Sequence, residues 1–173
     1  VLESYLVDIP ESEWGSSKTL IANAIATTNA ILFLLNDEDE YENEDLWELI
    51  DSGVQGQDLL ATEVHPEGSS AYMNSSERDA TYEEVLHFVH GYGIQLAAPG
   101  MQNAIEEAMA EAIANEYYNP LFDLPSEDYD EEYLAMGMEC YFGIWGHDPS
   151  GDGYCGDHEY AFIDRESMVS GDP

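Results

Sequence analysis

The sequence predicts a mainly helical α+β fold, a single helical domain with a few short strands. Three observations carry that prediction. Apolar residues recur at three- and four-residue spacing in several separate segments, the period of one helix face. Hydrophobic residues make up 44% of the chain and aromatics 12%, an apolar content that acidic disordered tails lack. The length, 173 residues, suits one domain with a real core, so residues 1–173 read as one unit.

The elements follow in chain order. Residues 1–9 read as a short strand stopped by Pro10, within an N-terminal arm of residues 1–17. The start at Val1 looks like a processed or trimmed end. Ser16 and Ser17 offer helix N-caps. Leu20, Ile21, Ala24, Ile25, Thr28, Ile31, Leu32 and Leu35 then predict a helix from about Lys18 to Leu35. Residues 37–42 form an acidic loop. Glu44 to Ile50 reads as a short helix with Gly53 suited to its C-terminal cap. Residues 59–64 read as a strand, and a polar stretch runs from Pro66 to Asp79, with the glycosylation sequon Asn74-Ser75-Ser76 inside it. Thr81-x-x-Glu84 has the form of a capping box, so a helix begins near Tyr82 and ends near Gly91 or Gly93. Pro99 opens the next helix, which runs to Tyr117. Another spans Tyr129 to Trp145, and Asp164 caps a last turn through Met168. No stretch reaches the roughly 18 apolar residues of a membrane span.

Charge narrows the function. The chain carries 38 acidic residues against 3 Lys plus Arg, a formal net charge of −35. Such a globule repels itself unless cations screen or bind it. Strong brine supplies them, and so does a calcium-rich extracellular medium. Nucleic acid and anionic membrane are poor partners for it, because both need Lys and Arg. Divalent cations are the expected partners, with further copies of the chain in an extracellular assembly bridged by them. The expected location is therefore extracellular, with the cytoplasm of a halophile as the alternative.

Two cysteines, Cys140 and Cys155, allow one disulfide, which fits an extracellular setting. A loop of that size contributes roughly 3 kcal/mol in the chain-entropy account. The bridge would tie down an Asp- and Gly-rich segment, residues 148–159, with calcium-loop spacing. Asp148, Ser150 and Asp152 stand at positions 1, 3 and 5, Gly153 at 6, Tyr154 with its carbonyl at 7, and Glu159 at 12. Alternate side chains then point inward around a Gly turn, and the last carboxylate closes a calcium site.

A second constellation lies on the helix near Tyr82. At about 100° per residue, Tyr82, Val85, Leu86 and Val89 make its core face. Glu83, His87, His90 and Ile94 fall on another stripe. On the helix from Tyr129, Glu132, Met136, Glu139 and Gly143 share a stripe. His87, His90 and Glu132 are thus candidate zinc ligands, with Glu83 or Glu139 as a further ligand or supporting group.

The pair of helices, the second reading Asp130-Glu131-Glu132-Tyr133-Leu134-Ala135-Met136, resembles the zincin metallopeptidases of the secreted, lethal-factor-like kind over roughly residues 18–173. Asp157-His158-Glu159-Tyr160 and the final Asp172-Pro173 resemble the ends of such domains. The resemblance implies a zincin-like helical core, with Glu132 in the place of the third zinc ligand and His90 in that of the second His. Leu86 stands where the family has its first His, and His87 where it has its catalytic Glu. The family's base is therefore missing. The expectation is a secreted acidic calcium-binding protein with a degenerate, non-catalytic zincin-like fold and a structural or adhesive role. The alternatives are a rewired zinc peptidase, with Glu83 or Glu84 as base, and a halophilic protein whose charge is only a salt adaptation.

Overall fold

In order along the chain, the protein forms α1 (Leu2–Leu6), α2 (Thr19–Thr28), β1 (Ile31–Leu35), α3 (Glu44–Asp51), β2 (Gly56–Leu60), α4 (Ser70–Asn74), α5 (Thr81–Val89), α6 (Gln95–Ala97), α7 (Pro99–Ala114), α8 (Tyr129–Phe142) and α9 (Arg165–Gly171). This computed structural model describes residues 1–66, 68–74, 79–121, 124–144 and 159–172. The fold is mainly α with, among the described residues, one small sheet, as the sequence predicts. Among the described residues, no helix is long and apolar enough to cross a membrane.

The chain divides into two compact units. The first comprises Val1–His65 and Ala80–Met101, the second Pro66–Asp79 and Gln102–Pro173.

In the first unit β1 and β2 pair in parallel, with Ile31 opposite Gly56 and Phe33 opposite Asp58. Parallel neighbours need a crossover, and α3 supplies it. The pairing is close. A Cβ on Gly56 would stand 2.0 Å from the Ile31 carbonyl oxygen and 2.5 Å from the Phe33 ring, so only glycine fits. Helix α3 starts on Asn43, whose side chain accepts from the Asp45 N–H at 2.9 Å. It ends before Gly53, as expected, at φ 92°.

Several sequence expectations in this unit are corrected. Residues 2–6 are helical rather than extended, because Tyr5 and Leu6 half-bury on one side and the Tyr5 hydroxyl donates to the Tyr82 carbonyl at 2.9 Å. The helix expected from Lys18 to Leu35 stops at Thr28. Asn29 adopts the left-handed conformation, φ 54°, and the apolar run after it becomes β1. The strand expected over 59–64 lies earlier, at Gly56–Leu60, and a 3-10 turn of Ala61–Glu63 follows it. The acidic loop of 37–42 is mostly a 3-10 turn, Glu38–Glu42, capped by Asp37.

Helix α5 begins where expected, but its N-cap is Ala80, with no side-chain cap. The capping-box geometry is absent because Thr81 is already inside the first turn. After Val89 the helix widens into a π-turn, His90–Ile94. This turn packs on α2. Gly93 permits the approach, since a Cβ there would lie 2.6 Å from Ile21 Cγ2. Ile21, Leu59, Leu60, Val85, Leu86, Phe88, Val89 and Ile94 are the larger buried aliphatic and aromatic residues described in this unit's interior. Each such side chain contributes about 1.5–3 kcal/mol by leaving water.

The second unit centres on Ala112, Tyr118, Met136, Cys140 and Tyr160, with Met109, Tyr133, Phe162 and Met168 packed around them. Tyr118 and Tyr160 form an antiparallel bridge. Helix α8 ends at Gly143 rather than Trp145. Helix α9 starts on Asp164, as expected, with the carboxylate accepting from the Ser167 N–H at 2.8 Å. Backbone and side-chain bonds from Ser167 hold the Asp164 carboxyl below its ordinary value.

Candidate metal site

In the first unit the stripe of α5 is buried along its length. Glu83 is 8% exposed, His87 6%, His90 0% and Ile94 3%. Val85, Leu86, Phe88 and Val89 are buried as well, so this helix is covered nearly all round, whereas Tyr82, expected on the core face, is exposed. An ionisable residue is seldom fully buried without a partner, so two carboxylate–imidazole positions here carry chemical weight.

Glu83 and His87 lie one turn apart. A carboxylate oxygen of the first comes within 4.8 Å of an imidazole nitrogen of the second, close enough to converge on one ion. Glu84 also approaches this imidazole, its Oε2 3.8 Å from His87 Nδ1. Glu84 is itself held: Gln57 Nε2 donates to the same Oε2 at 2.6 Å. Gln57 comes from β2, which alternates Gln57 and Asp58 between its two faces. Burial, then the charges of Glu84 and Asp58, push the nearby Glu63 carboxyl up. The carboxylates of this region therefore work against one another, a field that favours a bound cation.

His90, expected as a ligand beside His87, opens the π-turn and stands outside the convergent group; Glu83 takes that place. Turns of this π type cluster at functional positions.

In the second unit the α8 stripe is also inward. Met136 and Glu139 are fully buried, and Glu132 is half-buried. Asp130 accepts from Gln102 Nε2. The Tyr118 hydroxyl is buried with no hydrogen-bond partner among the described residues. Burial, then the charges of Glu159 and Glu132, push that phenol up.

Of the expected calcium ligands, Asp148, Ser150, Asp152 and Tyr154 lie outside the described residues. Glu159 is half-buried, and its carbonyl accepts from the Asn119 N–H at 2.7 Å, anchoring the end of the loop segment. Cys140 is a buried free thiol, and Cys155, its expected bridge partner, lies outside the described residues. Burial pushes the Cys140 thiol up to about 12, helped by the charges of Asp164 and Asp172. The Asn74 sequon also runs outside the described residues after its first position.

No protein-family model, curated protein or solved structure matches the chain. The likeness to zincins stays a likeness of sequence pattern. What the site can do rests on its donors. An imidazole and a carboxylate are the donor types of zinc and related divalent ions, while calcium prefers oxygen alone. Sequence reasoning found the stripe but missed Gln57, because a strand residue 27 positions away carries no local signal.

Proposed function

We propose that this protein is an extracellular, highly acidic, divalent-cation-binding scaffold. Its degenerate zincin-like core binds one zinc-type ion through Glu83 and His87. The observation that carries the reading is the buried Glu83–His87 pair with Glu84 set against Nδ1. Metal-bound histidines characteristically face a carboxylate with the nitrogen that does not bind the metal. Glu84, positioned by Gln57, fills that supporting role.

The role is structural rather than catalytic. Leu86 and His87 stand where zincins keep their first His and their base, so the general base for water is missing. A bound ion here contributes fold stability. Calcium on residues 148–159 and between acidic surfaces of neighbouring copies offsets the −35 charge.

Elemental analysis after gentle desalting tests this. The expected result is one zinc-type ion per chain, absent in His87→Ala and Glu83→Gln, and a melting temperature that falls in chelator. A ligand at 100 times its Kd stabilises by about 2.7 kcal/mol, a shift well within reach of calorimetry. Zinc-type metal absent from the wild type, with an unchanged melting curve in chelator, overturns the reading. Cleavage of a peptide library by zinc-loaded protein, lost in His90→Ala, would replace the scaffold role with the peptidase alternative. Full replacement of calcium by sodium chloride would assign the charge to salt adaptation.

A further inference from the structure

The first unit carries a second feature, on the opposite face of β2 from Gln57. A cleft of about 360 Å³ is lined by Phe33 and Leu35 of β1, Asp58 of β2, Trp47 of α3, Tyr41 of the 3-10 turn and Tyr92 of the π-turn. That volume suits a small molecule. Bare Gly56 lies beside the Phe33 ring and keeps the floor open.

The aromatic walls are fixed at their polar tips. Tyr92 Oη donates to the Gly56 carbonyl at 2.9 Å, and its ring leans on Phe88 with centroids 5.5 Å apart. Trp47 Nε1 donates to the Tyr41 carbonyl, and Tyr41 Oη donates to Asp58 Oδ2. Rings pinned this way offer π surface at low entropic cost. Their donor groups are already used.

The charge of the cleft is one-sided. Asp58 is in its lining, and neither Lys18 nor Arg165 is. Tyr41 registers the field: burial and the carboxylates of Asp58, Glu63 and Glu84 all push its phenol up. An anion is excluded. A primary ammonium brings three N–H donors that need acceptors, and Asp58, the one carboxylate among the lining residues, already accepts from Tyr41 Oη. A quaternary ammonium has none to satisfy, and aromatic faces attract it directly.

We propose that this cleft binds a small soluble quaternary ammonium molecule, its head on the aromatic walls and Asp58 and its apolar body on Phe33 and Leu35. The claim is independent of the metal site.

Choline and its neutral carbon isostere, 3,3-dimethylbutan-1-ol, separate the contributions when titrated calorimetrically into the whole chain. A background of about 1 M sodium chloride shortens the screening length to about 3 Å and suppresses diffuse condensation. Choline should saturate at one molecule per chain, with the isostere about tenfold weaker. Trp47→Ala should weaken choline about tenfold, and Trp47→Phe, which keeps a ring, should restore most of it. Trp47 is half exposed, so neither change empties the core. Equal binding of the isostere, no saturation by about 10 mM choline, or affinity unchanged in Trp47→Ala overturns the proposal. A trimethyl-lysine peptide binding far more tightly than choline also overturns it, in favour of a protein partner.

Discussion

Two buried phenols in the second unit behave in opposite ways. Tyr160 Oη donates to Asp172 Oδ2 at 2.7 Å, and Tyr133 Oη donates to the same oxygen at 3.0 Å. Tyr118 Oη has no such partner among the described residues. A buried bond to a charged acceptor contributes about 1.5–3 kcal/mol, while an unsatisfied buried hydroxyl costs about 1–3 kcal/mol. Tyr160→Phe should therefore lower urea stability by about 2 kcal/mol, and Tyr118→Phe should raise it by about 1 kcal/mol. Equal destabilisation by both would show that Tyr118 has found a partner. Cys140 gives a second residue-scale expectation. With its thiol pushed up to about 12, it should resist alkylation at pH 8 in a Cys155→Ser chain and react once urea unfolds it. Fast native labelling would contradict its burial. Residue identity alone located the Glu83–His87 stripe, since helix geometry fixes which side chains share a face. The pairing of Tyr133 and Tyr160 on Asp172 was not legible, because it depends on where the chain returns.

At the scale of elements, short apolar runs were the hardest to read. Ile31, Leu32 and Leu35 fit a helical period as well as a strand, and the run alone does not separate them. The break came from Asn29, one of the few residue types that enters the left-handed region readily. Helices with longer periodic faces, α3, α5, α7 and α8, were found close to their true bounds. The crossover β1–α3–β2 was not anticipated, since each strand has only five residues. Its weak point is Gly56. Gly56→Ala should cost about 3 kcal/mol by forcing the two strands apart, read as a lowered melting temperature. A tolerated alanine would mean the register differs from Ile31 opposite Gly56. Asn43→Ala should cost about 1 kcal/mol through loss of the α3 cap, with Asn43→Asp retaining most of it.

For the whole molecule, charge dominates. Stability should rise with sodium chloride and level off, as the screening length falls from about 30 Å at 0.01 M to about 8 Å at 0.15 M. The pH profile carries a specific signature from Glu63. Its folded-state value lies above the ordinary 4.5, so its contribution is complete below pH 4.5 and is lost as pH rises through the raised value. The melting temperature of Glu63→Gln, measured from pH 4 to 8, should fall less steeply over that window than that of the wild type. Parallel profiles would remove Glu63 from the account. Composition made this scale legible from the outset. Among the described residues, Lys18 and Arg165 are employed locally: Lys18 Nζ donates to the Tyr5 carbonyl at 2.8 Å, and Arg165 lies 4.0 Å over the Tyr141 ring.

The division of the chain into two units has a consequence for biosynthesis. Neither unit is one continuous stretch, since residues 66–79 belong to the second while both flanks belong to the first. A ribosome delivering the chain from its start would release part of the second unit before the first had received α5. The first unit would wait for Met101, and its two open strands would be held without their covering helix meanwhile. Cutting the gene between Asp79 and Ala80 would yield two fragments that each carry parts of both units.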